Sequence, residues 1–197
     1  IKFLKQGIYH HRDTLSFSTN TPVEMINKNL ISLHGKDSLQ IPFTVTTDSL
    51  NNTTKVIFDK KENETYTLNL NTNSITDFYS NSIKNTIVHR FTTGANTDYG
   101  TITFSIEGNV TYPIVFELLN KDEKIYDSRY LTTPEDVKFV LVNPDKYFVR
   151  IIEDANNNKI WDTGNYLQKQ QPEKVYFFDK IFDVRANWDI NEKIVIP

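Results

Sequence analysis

The stretch Thr65-Tyr66-Thr67-Leu68-Asn69-Leu70 alternates polar and apolar residues at every step, and this alternation decides the fold class. Successive side chains of an extended strand point to opposite faces, so Tyr66, Leu68 and Leu70 share one face and Thr65, Thr67 and Asn69 the other. The same period of two returns in Leu15/Phe17, Leu39/Ile41/Phe43/Val45, Ile102/Phe104/Ile106, Val137/Phe139/Leu141 and Phe182/Val184/Ala186/Trp188. Between these runs lie turn clusters: His34-Gly35-Lys36-Asp37, Asn51-Asn52, Asn71-Thr72-Asn73, Glu107-Gly108-Asn109, Asn143-Pro144-Asp145 and Asn156-Asn157-Asn158. Asn and Asp close turns by bonding the backbone two residues on, so such clusters punctuate strands. Only Pro22 to Leu33 has helical spacing, through Val23, Ile26 and Leu30, and Asn27 and Asn29 reduce it to a single turn at most. An all-β chain is expected.

The chain has 197 residues, 38% hydrophobic and 24% charged, which is too apolar for disorder, and no apolar run approaches the ~18 residues of a membrane helix. A net charge of -3 speaks against nucleic acid as a partner, because phosphate binding calls for a basic face. Zero cysteines exclude a disulfide framework, a thiolate metal site and a thiol nucleophile within this stretch. The chain starts at Ile1 with no initiator Met and no signal peptide, so it reads as a mature product or the back part of something longer. Apolar residues are all but absent from Thr92 to Asp98, around Gly94, as in a linker. Two tandem β-sandwich domains are therefore expected, at residues 1–95 and 98–197, each near the ~100 residues of a small two-sheet sandwich.

The first half carries a Tyr-x-Leu strand at Tyr66-Thr67-Leu68, then Asp77-Phe78-Tyr79-Ser80-Asn81, then Phe91-Thr92-Thr93-Gly94. This order resembles the SbsA-type bacterial Ig-like domain, with Ser80 standing where that family's turn usually has Gly. The second half carries Trp161-Asp162-Thr163-Gly164-Asn165-Tyr166 and Arg185-Ala186-Asn187-Trp188-Asp189. The tandem resembles the C-terminal end of Ig-like-domain surface lipoproteins of Bacteroidota, whose last domain is similar to transthyretin-like or prealbumin-like sandwiches. The resemblance implies a lipid anchor upstream of Ile1, further Ig-like domains there, residence at the outer membrane, and no chemistry. By analogy, the expected role is that of an accessory subunit docking on an outer-membrane β-barrel complex for protein assembly or export. Two other roles stay open, a glycan-binding or adhesive surface module and an accessory domain of an upstream enzyme.

The sharpest local pattern is the Asn-rich loop 154–162, in which Asp154, Asn156 and Asn158 alternate before Asp162. In a calcium loop, positions 1, 3 and 5 give side-chain oxygens, position 7 a backbone carbonyl and position 9 an acid or a water. Ile160 would then supply the carbonyl. Lys159 replaces the bend glycine, Asn165 replaces the closing Glu, and two formal charges imply weak binding at ~10⁻⁴ to 10⁻³ M. The alternative is an Asx-rich connection that holds itself together by hydrogen bonds and takes no ion.

His10, His11, His34 and His89 show no metal-ligand spacing and read as surface or structural residues, His89 facing inward with Ile87 and Phe91. Trp188 is assigned to the core by its parity with Phe182 and Val184, whereas Trp161 is divided between packing and partner contact. No nucleophile elbow, phosphate loop, dinucleotide fingerprint or zinc-protease helix is present. Adjacent acids such as Glu153/Asp154 point to opposite faces of a strand, so the expected reading is non-enzymatic. Asp13-Thr14-Leu15, Asp37-Ser38-Leu39 and Asp48-Ser49-Leu50 resemble the O-glycosylation acceptor of Bacteroidota envelope proteins.

Overall fold

An alternating strand is stable only when its apolar face is buried against a second layer, and each half of this chain supplies both layers. The computed structural model describes residues 1–197. The chain is nearly all β and divides into two compact units, Ile1–Ala95 and Asn96–Pro197, each built as a β-sandwich.

The first unit contains β1 (Lys2–Phe3), β2 (Ile8–Tyr9), β3 (Leu15–Ser18), β4 (Val23–Ile26), β5 (Ile31–His34), β6 (Thr44–Asp48), β7 (Thr53–Ile57), β8 (Thr65–Leu70), β9 (Ile75–Asp77) and β10 (Ile87–Thr93). One sheet runs β1-β3-β7-β6, the other β2-β10-β8-β5, and β4-β9 form a separate ribbon. Register places Leu33, Leu68 and His89 side by side, and Tyr66 beside Phe91. The period of two therefore carries Tyr66, Leu68 and Leu70 into a core shared with Leu15, Phe17 and Val56 of the opposite sheet. Residues 22–33 form β4, a 3-10 turn at Lys28–Leu30 and the start of β5, with no α-helix. The run expected at Leu39/Ile41/Phe43/Val45 becomes a strand only from Thr44. Ser38 has φ 58 and Pro42 has no N–H to give a ladder, so residues 39–43 cross as an irregular segment with Leu39 exposed.

The second unit contains β11 (Gly100–Gly108), β12 (Ile114–Leu119), β13 (Ile125–Leu131), β14 (Val137–Val142), β15 (Asp145–Glu153), β16 (Val175–Val184) and β17 (Asp189–Ile196). A three-stranded sheet, β14-β11-β17, faces a four-stranded one, β13-β12-β15-β16. Between them Phe104, Phe116, Phe139 and Phe182 form a fully buried aromatic cluster. Truncating Phe104 to Ala is expected to cost about 3–5 kcal/mol, as for other large core side chains.

Two expected strand faces are corrected at their ends. Leu141 adopts φ 53 beside a register shift on β11, so the inward position passes to Val142. The Phe182/Val184 face stops at Val184, because the chain turns at Asn187, φ 59, to reach the other sheet. That turn packs on Gly100, where a Cβ would lie 2.6 Å from the Arg185 carbonyl oxygen. Trp188 is therefore not a core residue: it is 54% exposed, with the Arg185 guanidinium 5.0 Å from its ring centroid.

Candidate functional site

β15 ends at Glu153 and β16 begins at Val175, leaving 21 residues, 154–174, to join two neighbouring antiparallel strands. A hairpin needs only about 2–5, and connections beyond about 12–15 residues are uncommon and are either functional or linker segments. This connection has two parts, the Asn-rich loop and a projecting arm.

Asp154 follows β15 directly and is buried, 1% exposed. Its Oδ1 accepts from the Asn158 N–H at 3.1 Å and its Oδ2 from the Lys159 N–H at 2.9 Å. Asn156 Oδ1 accepts from the Asn158 N–H, and Asn158 Oδ1 accepts from the Ile160 N–H. The two Asn amides donate to Asp162 Oδ2 at 2.7 and 2.6 Å. Asn156, Asn158 and Asp162 thus come together, whereas the Asp154 carboxylate is engaged with backbone N–H groups. Ile160 is exposed. Lys159 takes the left-handed conformation, φ 67, that a calcium loop reserves for glycine at its sixth position. Its ammonium lies 5.1 Å from the Tyr130 ring centroid. Burial and then the Asp154 carboxylate push the Tyr130 phenol upward from its ordinary value.

Glu173, which the loop pattern does not include, organises this region from across the connection. Its Oε1 accepts from the Ala155 N–H at 2.8 Å, and its Oε2 from the Asp162 N–H at 3.1 Å. Its carbonyl accepts from Trp161 Nε1, and its N–H donates to the Asp162 carbonyl. One carboxylate therefore ties both ends of the loop, and Trp161 is anchored by its indole N–H with its ring partly in solvent. No local signal marks Glu173, because its partners lie 11 and 18 residues away.

Beyond Asp162 the chain runs out and back as an arm. Gly164, φ 73, is required there, since a Cβ would meet Pro172 N at 2.6 Å and Gln170 O at 2.7 Å. Asn165 and Gln170 exchange both backbone hydrogen bonds at 2.9 Å. Asn165 Oδ1 then caps the Leu167 and Gln168 N–H groups. The tip holds Tyr166 and Leu167 at 95% and 91% exposure.

A second feature lies on the outer face of the four-stranded sheet. All six residues of β12 are buried, including Val115, Glu117 and Leu119, whose side chains face away from the sandwich core. Glu117 is paired there with Arg150 Nε at 2.5 Å. Alongside, the edge strand β16 presents Val175, Phe177 and Ile181 to solvent, Phe177 at 46% and Ile181 at 51%, with Phe177 stacked near Phe148.

Elsewhere, His89 is buried, stacked on Phe3 at 3.8 Å between ring centroids and 3.4 Å from the Tyr9 hydroxyl. Burial lowers its pKa, and burial followed by Asp13 pushes the Tyr9 phenol up to about 12. His10 is buried rather than on the surface, its Nδ1 accepting from the Arg12 N–H at 2.9 Å. No group of three or more His, Cys, Asp or Glu side chains is placed to hold a metal. Thr14, Ser38 and Ser49 are all exposed.

No family model matches the chain, and no curated protein matches it. Among solved structures it is similar to native alpha-2-macroglobulin from Escherichia coli spanning domains MG0-NIE-MG1, with TM-score 0.41, 8% identity, and 84% of this chain and 66% of that one covered. It is also similar to the Bacillus anthracis TIE protein, with TM-score 0.32, 12% identity and coverage of 98% and 39%. A third likeness is to BcpA, the major pilin subunit of Bacillus cereus, with TM-score 0.34, 9% identity and coverage of 98% and 68%. The chain thus spans less than two thirds of the first two proteins. The β-sandwich assignment rests on the strands, registers and cores described above.

Proposed function

We propose that this chain is the non-catalytic, partner-binding region of a cell-envelope lipoprotein, an accessory subunit that docks on an outer-membrane β-barrel complex for protein assembly or export. The observation that carries the docking is the open edge of β16. Ten residues long and paired only to β15, it sets Val175, Phe177 and Ile181 outward. The outer face of this edge strand, with its apolar side chains, is a surface for face contact, whereas the bulge opposite Phe148 and the charges of Asp179, Lys180 and Asp183 oppose strand addition. The envelope, the upstream lipid anchor and the barrel come from the resemblance in Trp161–Tyr166 and Arg185–Asp189. The test is affinity purification of the intact lipoprotein from native outer membranes, with and without Phe177→Asp and Ile181→Asp. The expected result is enrichment of one barrel protein that the double variant loses. Enrichment of no barrel protein, or equal enrichment by the variant, would count against docking.

Calcium at the Asn-rich loop is a second reading, favoured by the left-handed Lys159 and by the meeting of the Asn156, Asn158 and Asp162 side chains. Side-chain oxygens of Asp154, Asn156, Asn158 and Asp162, with the Ile160 carbonyl, would hold the ion. At Asp162 it would replace the two Asn amide donors as the source of positive charge. Melting in excess calcium and in chelator tests it. A rise with calcium that Asp162→Asn abolishes is expected, and equal melting excludes the site.

A further inference from the structure

The arm raised on Gly164 combines an apolar tip with backbone N–H groups that are mostly bonded within the arm. Of the six N–H groups from Asn165 to Gln170, five find acceptors within the arm. Those of Asn165 and Gln170 pair across it, that of Lys169 meets the Tyr166 carbonyl, and those of Leu167 and Gln168 meet Asn165 Oδ1. Tyr166 and Leu167 are meanwhile almost wholly exposed, next to Lys169, the only charged residue from Thr163 to Pro172. At the root of the arm, Ile160 and Trp161 are exposed too, beside Lys159. The acids nearby are engaged, Asp162 with the two Asn amides and Glu173 with two backbone N–H groups.

An unsatisfied backbone group is what most opposes entry of a loop into a lipid layer, because hydrocarbon offers no replacement hydrogen bond. A tip with five of its six N–H groups already bonded avoids most of the donor side of that cost. Leu supplies apolar area, Tyr and Trp suit the boundary between acyl chains and headgroups, and Lys is drawn to anionic headgroups. A strand-adding protein partner would instead need a row of free backbone donors, and only the Tyr166 N–H lacks an acceptor within the arm. We propose that the arm 163–172 is a membrane-contact finger: Tyr166 and Leu167 enter the headgroup boundary of an anionic lipid surface, with Lys169 on the phosphates and Trp161 at the outer margin. This contact goes beyond the docking reading and uses a different surface from β16.

The whole chain is mixed with vesicles of phosphatidylcholine, with and without phosphatidylglycerol, and binding is followed by flotation and by the tryptophan emission. Anionic vesicles are expected to bind the chain and shift its emission to the blue. Because Tyr166 and Leu167 touch little of the fold, Tyr166→Ser/Leu167→Ser is expected to keep the melting temperature while weakening binding by at least about tenfold, the equivalent of losing one buried Leu. Lys169→Glu is expected to weaken it about fivefold on anionic vesicles only. Vesicles that bind neither form, or that bind the double variant as well as the parent, would overturn the proposal. So would a protein complex that needs Tyr166 and Leu167 while vesicles stay unbound.

Discussion

Two turns in this molecule begin with an aspartate capping backbone N–H groups and include a non-glycine residue in the left-handed region, yet they do different things. In the first unit, Asp77 Oδ1 accepts from Tyr79 and Asn81, and Ser80 has φ 63. Its bonds stay within a few residues, apart from one from Thr21 and one from the Phe78 N–H to the Pro22 carbonyl, and the chain returns to pair at Ser82. In the second unit, Asp154 caps Asn158 and Lys159, but the loop ends are tied by Glu173, and an arm emerges from the knot. A carboxylate cap alone makes a turn. A cap combined with a distant clamp makes a platform that holds something out into solvent.

The largest expected break in this comparison is Asp154→Ala. The carboxylate is buried, and its loss leaves the Lys159 N–H without its acceptor and the Asn158 N–H with Asn156 Oδ1 alone, at an expected cost of about 2 kcal/mol, read as a drop in melting temperature. Asp77→Ala is expected to lower it less, since Asp77 is only half-buried. Glu173→Gln comes next, at about 1–2 kcal/mol, and is expected to speed hydrogen exchange at Ala155 and Asp162 while leaving Tyr79 and Asn81 unchanged. Equal exchange across both turns would remove the clamp from the account.

Smaller effects of opposite sign are expected from Ser80→Gly and Lys159→Gly. Each relieves a left-handed side chain and is expected to raise stability by about 0.5–1 kcal/mol in chemical denaturation, with part of the gain offset by the freer unfolded chain. If only Ser80→Gly stabilises, Lys159 contributes contacts of its own through Tyr130.

The gentlest contrast is in pH. Burial holds His89 below its ordinary 6.5, so the unfolded chain binds the proton more readily than the fold does. The stability this gives is complete above pH 6.5 and is lost as pH falls below it toward the depressed value. His89→Phe, which keeps the stack on Phe3, is expected to flatten that part of the melting profile, and an unchanged slope would place the acid sensitivity elsewhere.

The strand faces were legible because burial follows a strict period of two: Tyr66, Leu68 and Leu70, or Ile102 and Phe104, needed only parity. Parity failed wherever the backbone changed hand or sheet. Leu141 passed its inward place to Val142 through a left-handed residue, and Trp188 fell beyond the turn at Asn187, where the face it was assigned to had ended. The loop from Asp154 to Asp162 announced itself through alternating Asx residues. Glu173 did not, because a clamp is defined by a contact across the connection, and one sequence records spacing rather than contact. The tip at Tyr166 and Leu167 was likewise hidden, since exposed aromatics and core aromatics read alike until the backbone is placed.

Contact of the outer face of β16 with a membrane-embedded partner, the centre of the proposed function, is open to a direct test. The direct test places the photo-crosslinking residue p-benzoylphenylalanine at position 177 in the intact protein and, as a control, at position 121 in the β12–β13 turn, followed by irradiation of native outer membranes and mass spectrometry of the adducts. A single barrel polypeptide, crosslinked from position 177 and absent from position 121, is expected. No adduct from 177, or the same adducts from both positions, would contradict that contact.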